Sequence, residues 1–218
     1  MIKFPLSPLF IPANKLDWIS KTFERGADSI ILDLEDSVPE THKKKAREDL
    51  YLHLTDNKYE GNLIVRVNPI DQDLGLEDIE KLTNTDLSID AFMVPKIEDS
   101  SHLSKLPEIN LIPLLETPRS IQNIADIASQ SRVKGLALGG ADLSASLGST
   151  MDWDSLLYAR SKIILEASIN NLFSIDSPFM DINNLESLEK ECKKSKSLGF
   201  NGKAAIHPNQ LEVIQKSF

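Results

Sequence analysis

What most limits the fold open to this chain is a regular alternation that runs its whole length. Short apolar runs recur at Pro8–Pro12, Ser29–Leu34, Leu63–Val67, Ala91–Pro95, Leu111–Leu115, Gly135–Leu138, Phe173–Ile175 and Lys203–Ile206, with longer amphipathic stretches between them. The runs are continuously apolar rather than alternating, as in strands covered on both faces. The stretches between read as helices. Lys15–Arg25 puts Leu16, Ile19 and Phe23 on one face before Gly26, and Pro39–Leu54, Leu74–Leu82, Pro118–Ser129, Asp154–Asn170 and Asn184–Leu198 follow, with a weaker helix after Glu98. Strands alternating with helices predict parallel βα units. Eight such units predict a compact (β/α)8 TIM barrel, with 1–218 as one domain. The competing open, doubly wound sheet would carry a glycine-rich turn after its first strand. Here that turn is Pro12-Ala13-Asn14-Lys15.

Composition removes several function classes. The 218 residues carry a formal net charge of -9, which argues against a general nucleic-acid or anionic-membrane surface while leaving a small anionic substrate open. A single cysteine, Cys192, allows no internal disulfide and fits a reducing, cytoplasmic location. Proline interrupts the apolar start, so no signal peptide is expected. No run approaches the roughly 20 apolar residues of a membrane span.

In a parallel barrel the active site lies at the carboxyl ends of the strands. Nearly every expected strand delivers a polar or ionisable residue there: Asn14 and Lys15, then Asp33, Glu35 and Asp36, then Arg66 and Asn68, Lys96, Glu116, Asp142, Asp176 and His207. Glu116 and Asp142, from neighbouring strands, are the natural pair for Mg2+, a hard cation usually held by one or two carboxylates and completed by substrate and water. Alternatively each caps the helix that follows it. Zinc is disfavoured, because no His or Cys cluster has the spacing of its ligands. Arg66 stands in an apolar strand and so needs a partner. It clamps a substrate carboxylate, or pairs internally with Asp33 or Glu35. Asp33 and Glu35 share one face by the period of two, which sets Asp36 apart from them, and Glu35 or Asp36 is a candidate base. Gly139, Gly140 and Ala141 offer backbone N–H groups as a carboxylate or oxyanion cradle. Lys15 is either a phosphate contact or simply solvated, and His207, before Pro208, either meets a ligand or closes its loop.

Taken together, LFIPAN (Leu9–Asn14), LDLEDSV within Ile31–Val38, RVNP, Val94–Asp99, PLLETPR (Pro113–Arg119), Gly139–Gly148, Tyr158–Ser161 and Gly199–Gln210 resemble the citrate lyase beta-chain group of the HpcH/HpaI aldolase superfamily, in order and over nearly the whole chain. The resemblance implies a (β/α)8 barrel, usually a homo-oligomer, with Mg2+ on Glu116 and Asp142 and Arg66 on the substrate carboxylate. It implies carbon–carbon cleavage of citryl, malyl or citramalyl thioesters of coenzyme A or a carrier protein, or the reverse condensation. Lys15, Ile206 and His207 match regions that help hold the carrier. The sequence ends at Phe218, which sets an expectation that the helical lid extension of many relatives is missing. Two rival readings remain: an aldolase on free 2-oxo acids, and a non-catalytic subunit or binding component.

Overall fold

A computed structural model describes residues 5–83 and 87–218. The reading of the first residues as lacking a leader falls partly outside them. Eight strands alternate with helices along the chain: β1 (Leu9–Pro12), α1 (Trp18–Glu24), β2 (Ser29–Asp33), a 3-10 turn and α2 (Lys43–Asp56), β3 (Asn62–Arg66), α3 (Asp73–Leu82), β4 (Ala91–Val94), α4 (Ser100–Ser104), β5 (Leu111–Leu115), α5 (Pro118–Gln122), α6 (Ile124–Ala128), β6 (Gly135–Leu138), α7 (Gly140–Leu147), α8 (Leu157–Ile169), β7 (Phe173–Asp176), α9 (Leu185–Leu198), β8 (Gly202–Lys203) and α10 (Leu211–Ser217). The strands pair in parallel in sequence order. The sheet curls until its ends meet: Phe10 N–H donates to the Ala205 carbonyl at 2.9 Å and Ala205 N–H to that of Pro8 at 2.9 Å. The expected α/β barrel architecture is therefore present.

Period-two alternation splits the apolar residues into two cores. Ile31, Ile64, Ile112, Ala137 and Ile175 fill the barrel, while Ile30, Leu32, Leu63, Val65 and their neighbours face the surrounding helices. Both sides of each strand are thus covered, which is why the runs read as continuously apolar.

Three departures from the sequence reading have local causes. The helix expected over Pro118–Ser129 is two short helices broken at Asn123. The last strand is shorter than expected, because only Gly202–Lys203 ladders with β7 while Ala205 already bridges to β1. A further helix, α10, follows it, and Gln215 ties that helix to the Ser7 hydroxyl at 2.8 Å and the Gly26 carbonyl at 2.7 Å. Among the described residues no helix is long and apolar enough to cross a membrane.

Candidate active site

Strand register decides which side chains meet. Asp33 and Arg66 are side by side in the β2–β3 ladder. They form a two-pronged ion pair, Nε and Nη2 of Arg66 donating to the two carboxylate oxygens of Asp33 at 2.7 Å each. Beyond β2 the chain turns sharply. Asp33 accepts from the N–H of Glu35 at 2.9 Å and of Ser37 at 3.0 Å. This turn brings Glu35 within 3.0 Å and Asp36 within 3.3 Å of Arg66 Nη1. The expectation that Asp33, Glu35 and Asp36 could not converge is corrected here: it assumed a continuing strand, whereas β2 ends at Asp33. The Arg66 guanidinium also lies 5.0 Å from the centre of the Phe10 ring, on the same inner face of the barrel.

This cluster separates the carboxylates electrically. Burial alone would raise Asp33, but Arg66 holds it below the usual carboxylate range. Glu35 is pushed up to about 7, chiefly by burial, against the pull of Arg66 and with help from Asp36 and Asp33.

Glu116 follows β5 on the inner face. Its side chain passes over Gly139, where a Cβ would stand 2.4 Å from the Cβ of Glu116 and 2.6 Å from its Oε2. Its Oε1 accepts the N–H of Lys96 at 2.9 Å. Lys96 has the left-handed φ of 54°, a conformation that costs free energy in a residue with a side chain and here aims an amide at a buried carboxylate. Glu116 is raised to about 8 by burial first and then by the nearby charge of Glu35, the Asp142 carboxylate adding to it. It does not cap the following helix; Thr117 does, in a reciprocal capping box with Ser120.

Asp142 lies in the first turn of α7, whose N-terminal position is Gly139 with no side-chain cap. The leading amides of α7 therefore lack the usual partner, and a helix N-terminus so exposed favours an anion. Glu116, Asp142, Gly140, Ala141, Arg66 and Asp36 all line one cavity of about 320 Å³ at the carboxyl ends of the strands. Ile206 lines it as well.

Some expected site residues are not brought in. Lys15 is exposed on the first loop and does not line the cavity. His207 closes its own turn, Nδ1 accepting the Asn209 N–H at 3.2 Å. Asn68 bonds Asp78 on the helix side of the sheet. Asp176 touches the cavity wall, but its carboxylate points outward to Arg160 at 2.9 Å and Lys203 at 2.8 Å. The rim is thus less densely ionisable than strand ends alone suggest. Sequence reading missed Phe10 and Met151 in the cavity wall. Phe10 was within reach, since it shares the inner face of β1 by alternation; Met151, on a loop, had no periodic signal.

A model of the HpcH/HpaI aldolase/citrate lyase family matches residues 6–208. This chain belongs to that family. Relatives named citramalyl-CoA lyase and citrate lyase subunit beta-like protein match the chain, so the expected class, a carbon–carbon lyase, stands. The (3S)-malyl-CoA thioesterase of Cereibacter sphaeroides is 33% identical over 219 residues, covering 97% of this chain and 76% of that protein. The mitochondrial citramalyl-CoA lyase of Homo sapiens is 31% identical over 242 residues, covering 96% of this chain and 69% of its own length. The crystal structure of the CitE protein of Mycobacterium tuberculosis in complex with magnesium, acetoacetate and coenzyme A superposes with a TM-score of 0.87 at 30% identity, covering 98% of this chain and 80% of that one.

Proposed function

We propose that this family member is an Mg2+-dependent lyase that cleaves the thioester of a 2-hydroxy acid into a 2-oxo acid and a shorter acyl thioester, or runs the condensation in reverse. One observation carries the reading. Among the described residues the acidic groups at the barrel mouth divide into compensated and uncompensated sets. Asp33, Glu35 and Asp36 surround Arg66, whereas no lysine, arginine or histidine lies within ion-pairing distance of Glu116 or Asp142. Two carboxylates facing one cavity without an ion-pair partner fit a divalent cation held by oxygen.

Glu116 and Asp142 would hold that ion, which when bound polarises the oxygens of the substrate and neutralises charge there. The protein's own groups do the rest. The amides of Gly140 and Ala141 receive the acid's carboxylate at the positive end of α7. Arg66, already committed to Asp33, fixes the acidic turn and offers only its remaining edge to the ligand. Glu35 is the candidate base: with its protonation balanced near neutrality it can accept the hydroxyl proton as the C–C bond breaks, with Asp36 next to it as the alternative. The Ile206 side of the cavity is where the thioester arm enters, with Lys15 and His207 outside it along the same rim. We read residues 1–218 as one catalytic unit, acting as a homo-oligomer in the cytoplasm on coenzyme A or carrier-protein thioesters.

The test is release of 2-oxo acid from malyl- and citramalyl-coenzyme A. It should require Mg2+, stop with chelator, and fall at least about a hundred-fold in Glu116→Ala. Equal rates for wild type and variant would remove the metal role, and turnover of free hydroxy acids alone would remove the thioester.

A further inference from the structure

Among the described residues, two that are not glycine adopt a left-handed backbone, Lys96 with φ 54° and Asn171 with φ 55°. Asn171 has a local cause. It follows the end of α8, where a left-handed residue commonly stops a helix, and asparagine tolerates that conformation well. Neither reason applies to Lys96, which lies just beyond the end of β4 and gains nothing from a positive φ. Its side chain does not compensate: it is exposed, and its ammonium stands 3.8 Å from Glu35 Oε1, too far for a hydrogen bond.

What the conformation delivers is an amide. The N–H of Lys96 reaches Glu116 Oε1 at 2.9 Å, while among the described residues Oε2 accepts no hydrogen bond. The amide therefore tells apart the two oxygens of a buried carboxylate that lines the cavity: Oε1 is engaged by the backbone, and Oε2, over Gly139, is left open. Resting on the Mg2+ site of the lyase reading above, we propose that Lys96 is a positioning residue for that site. Its left-handed backbone fixes the Glu116 carboxylate for the ion, and its side chain is dispensable to that role. A group that orients a ligating carboxylate without touching the metal is typically worth about 10–100-fold in affinity.

Calorimetric titration of the metal-free full chain with Mg2+ alone, beside denaturant unfolding of the same samples, tests this without turnover. Lys96→Gly keeps the amide, removes the ammonium and enters the left-handed region freely, so its Mg2+ affinity should stay within about two-fold of wild type. Lys96→Val is driven out of that region, so its amide leaves Glu116 and affinity should fall at least about ten-fold. Lys96→Thr, β-branched but polar at this exposed position, gives the same comparison where valine lowers stability too far. Asn171→Val is the control for strain alone: it should lower the unfolding midpoint and leave Mg2+ affinity within about two-fold of wild type. Unchanged affinity in the β-branched variants, an equal loss in Lys96→Gly, an equal loss in Asn171→Val, or no Mg2+ binding by wild type overturns the proposal. The expected order of affinities without cleavage of any thioester would uphold it and count only against the lyase reading.

Discussion

A methyl group at position 139 would have to share space with the Cβ and Oε2 of Glu116. The Gly139→Ala variant is therefore expected to displace that carboxylate, weakening Mg2+ binding at least about ten-fold by calorimetry and lowering stability by about 1–3 kcal/mol. The same carboxylate sets a pH dependence. Glu116 and Glu35, raised to about 8 and about 7, bind protons more tightly in the folded chain than unfolded. Between the ordinary glutamate range and those values the folded state holds more protons than the unfolded one, so stability falls as pH rises. Thermal unfolding of metal-free protein should thus shift to lower temperature from pH 5.5 to pH 8.5. Saturating Mg2+ should flatten or reverse that slope, since the ion replaces the protons on Glu116. A metal-free melting temperature that climbs across this range would contradict the burial of the pair.

Between elements, a buried ionic cluster points away from the cavity. Asp176 at the end of β7 joins Arg160 of α8, Lys203 of β8 and Ser195 of α9 in a fully buried cluster, where Arg160 and Lys203 hold its carboxylate below the usual range against the effect of burial. Asp176→Asn should cost about 3–5 kcal/mol in denaturant unfolding, because it leaves two buried cations short of a partner. Mg2+ affinity should stay within two-fold of wild type, which separates this cluster from the site. Asp176 also marks the boundary of what sequence can tell. The strands, their order and the meeting of Glu116 and Asp142 at one cavity were legible, because apolar runs report burial on both faces and polar residues follow the strand ends. Whether a terminal acid turns inward or outward depends on one residue of strand length. Phe173–Ile175 leaves Asp176 undetermined, whereas the observed Phe173–Asp176 puts it on the helix side with Ser174. Glu35 and Asp36 were misjudged for the same reason, since a turn replaced the assumed strand. The left-handed Lys96 had no sequence signal, as nothing in Val-Pro-Lys-Ile demands a positive φ.

For the molecule as a whole, the ring of strands is uneven in strength. The β2–β3 ladder pairs five residues on each side, and Asp33 and Arg66 lock it. The join between the last strand and the first rests on a few backbone bonds around Phe10, Ala205 and Lys203, braced by Gln215. Cooperative units of a native protein open in order of their local stability. Under native conditions the amide of Ala205 should therefore exchange its hydrogen for deuterium well before those of Ile31 and Ile64, and Gln215→Ala should speed only the former. Because Arg66, Glu116, Asp142 and the α7 amides all sit on the opposite arc, the barrel can come unzipped at its closing edge, for moments at a time, while the half carrying these groups stays assembled.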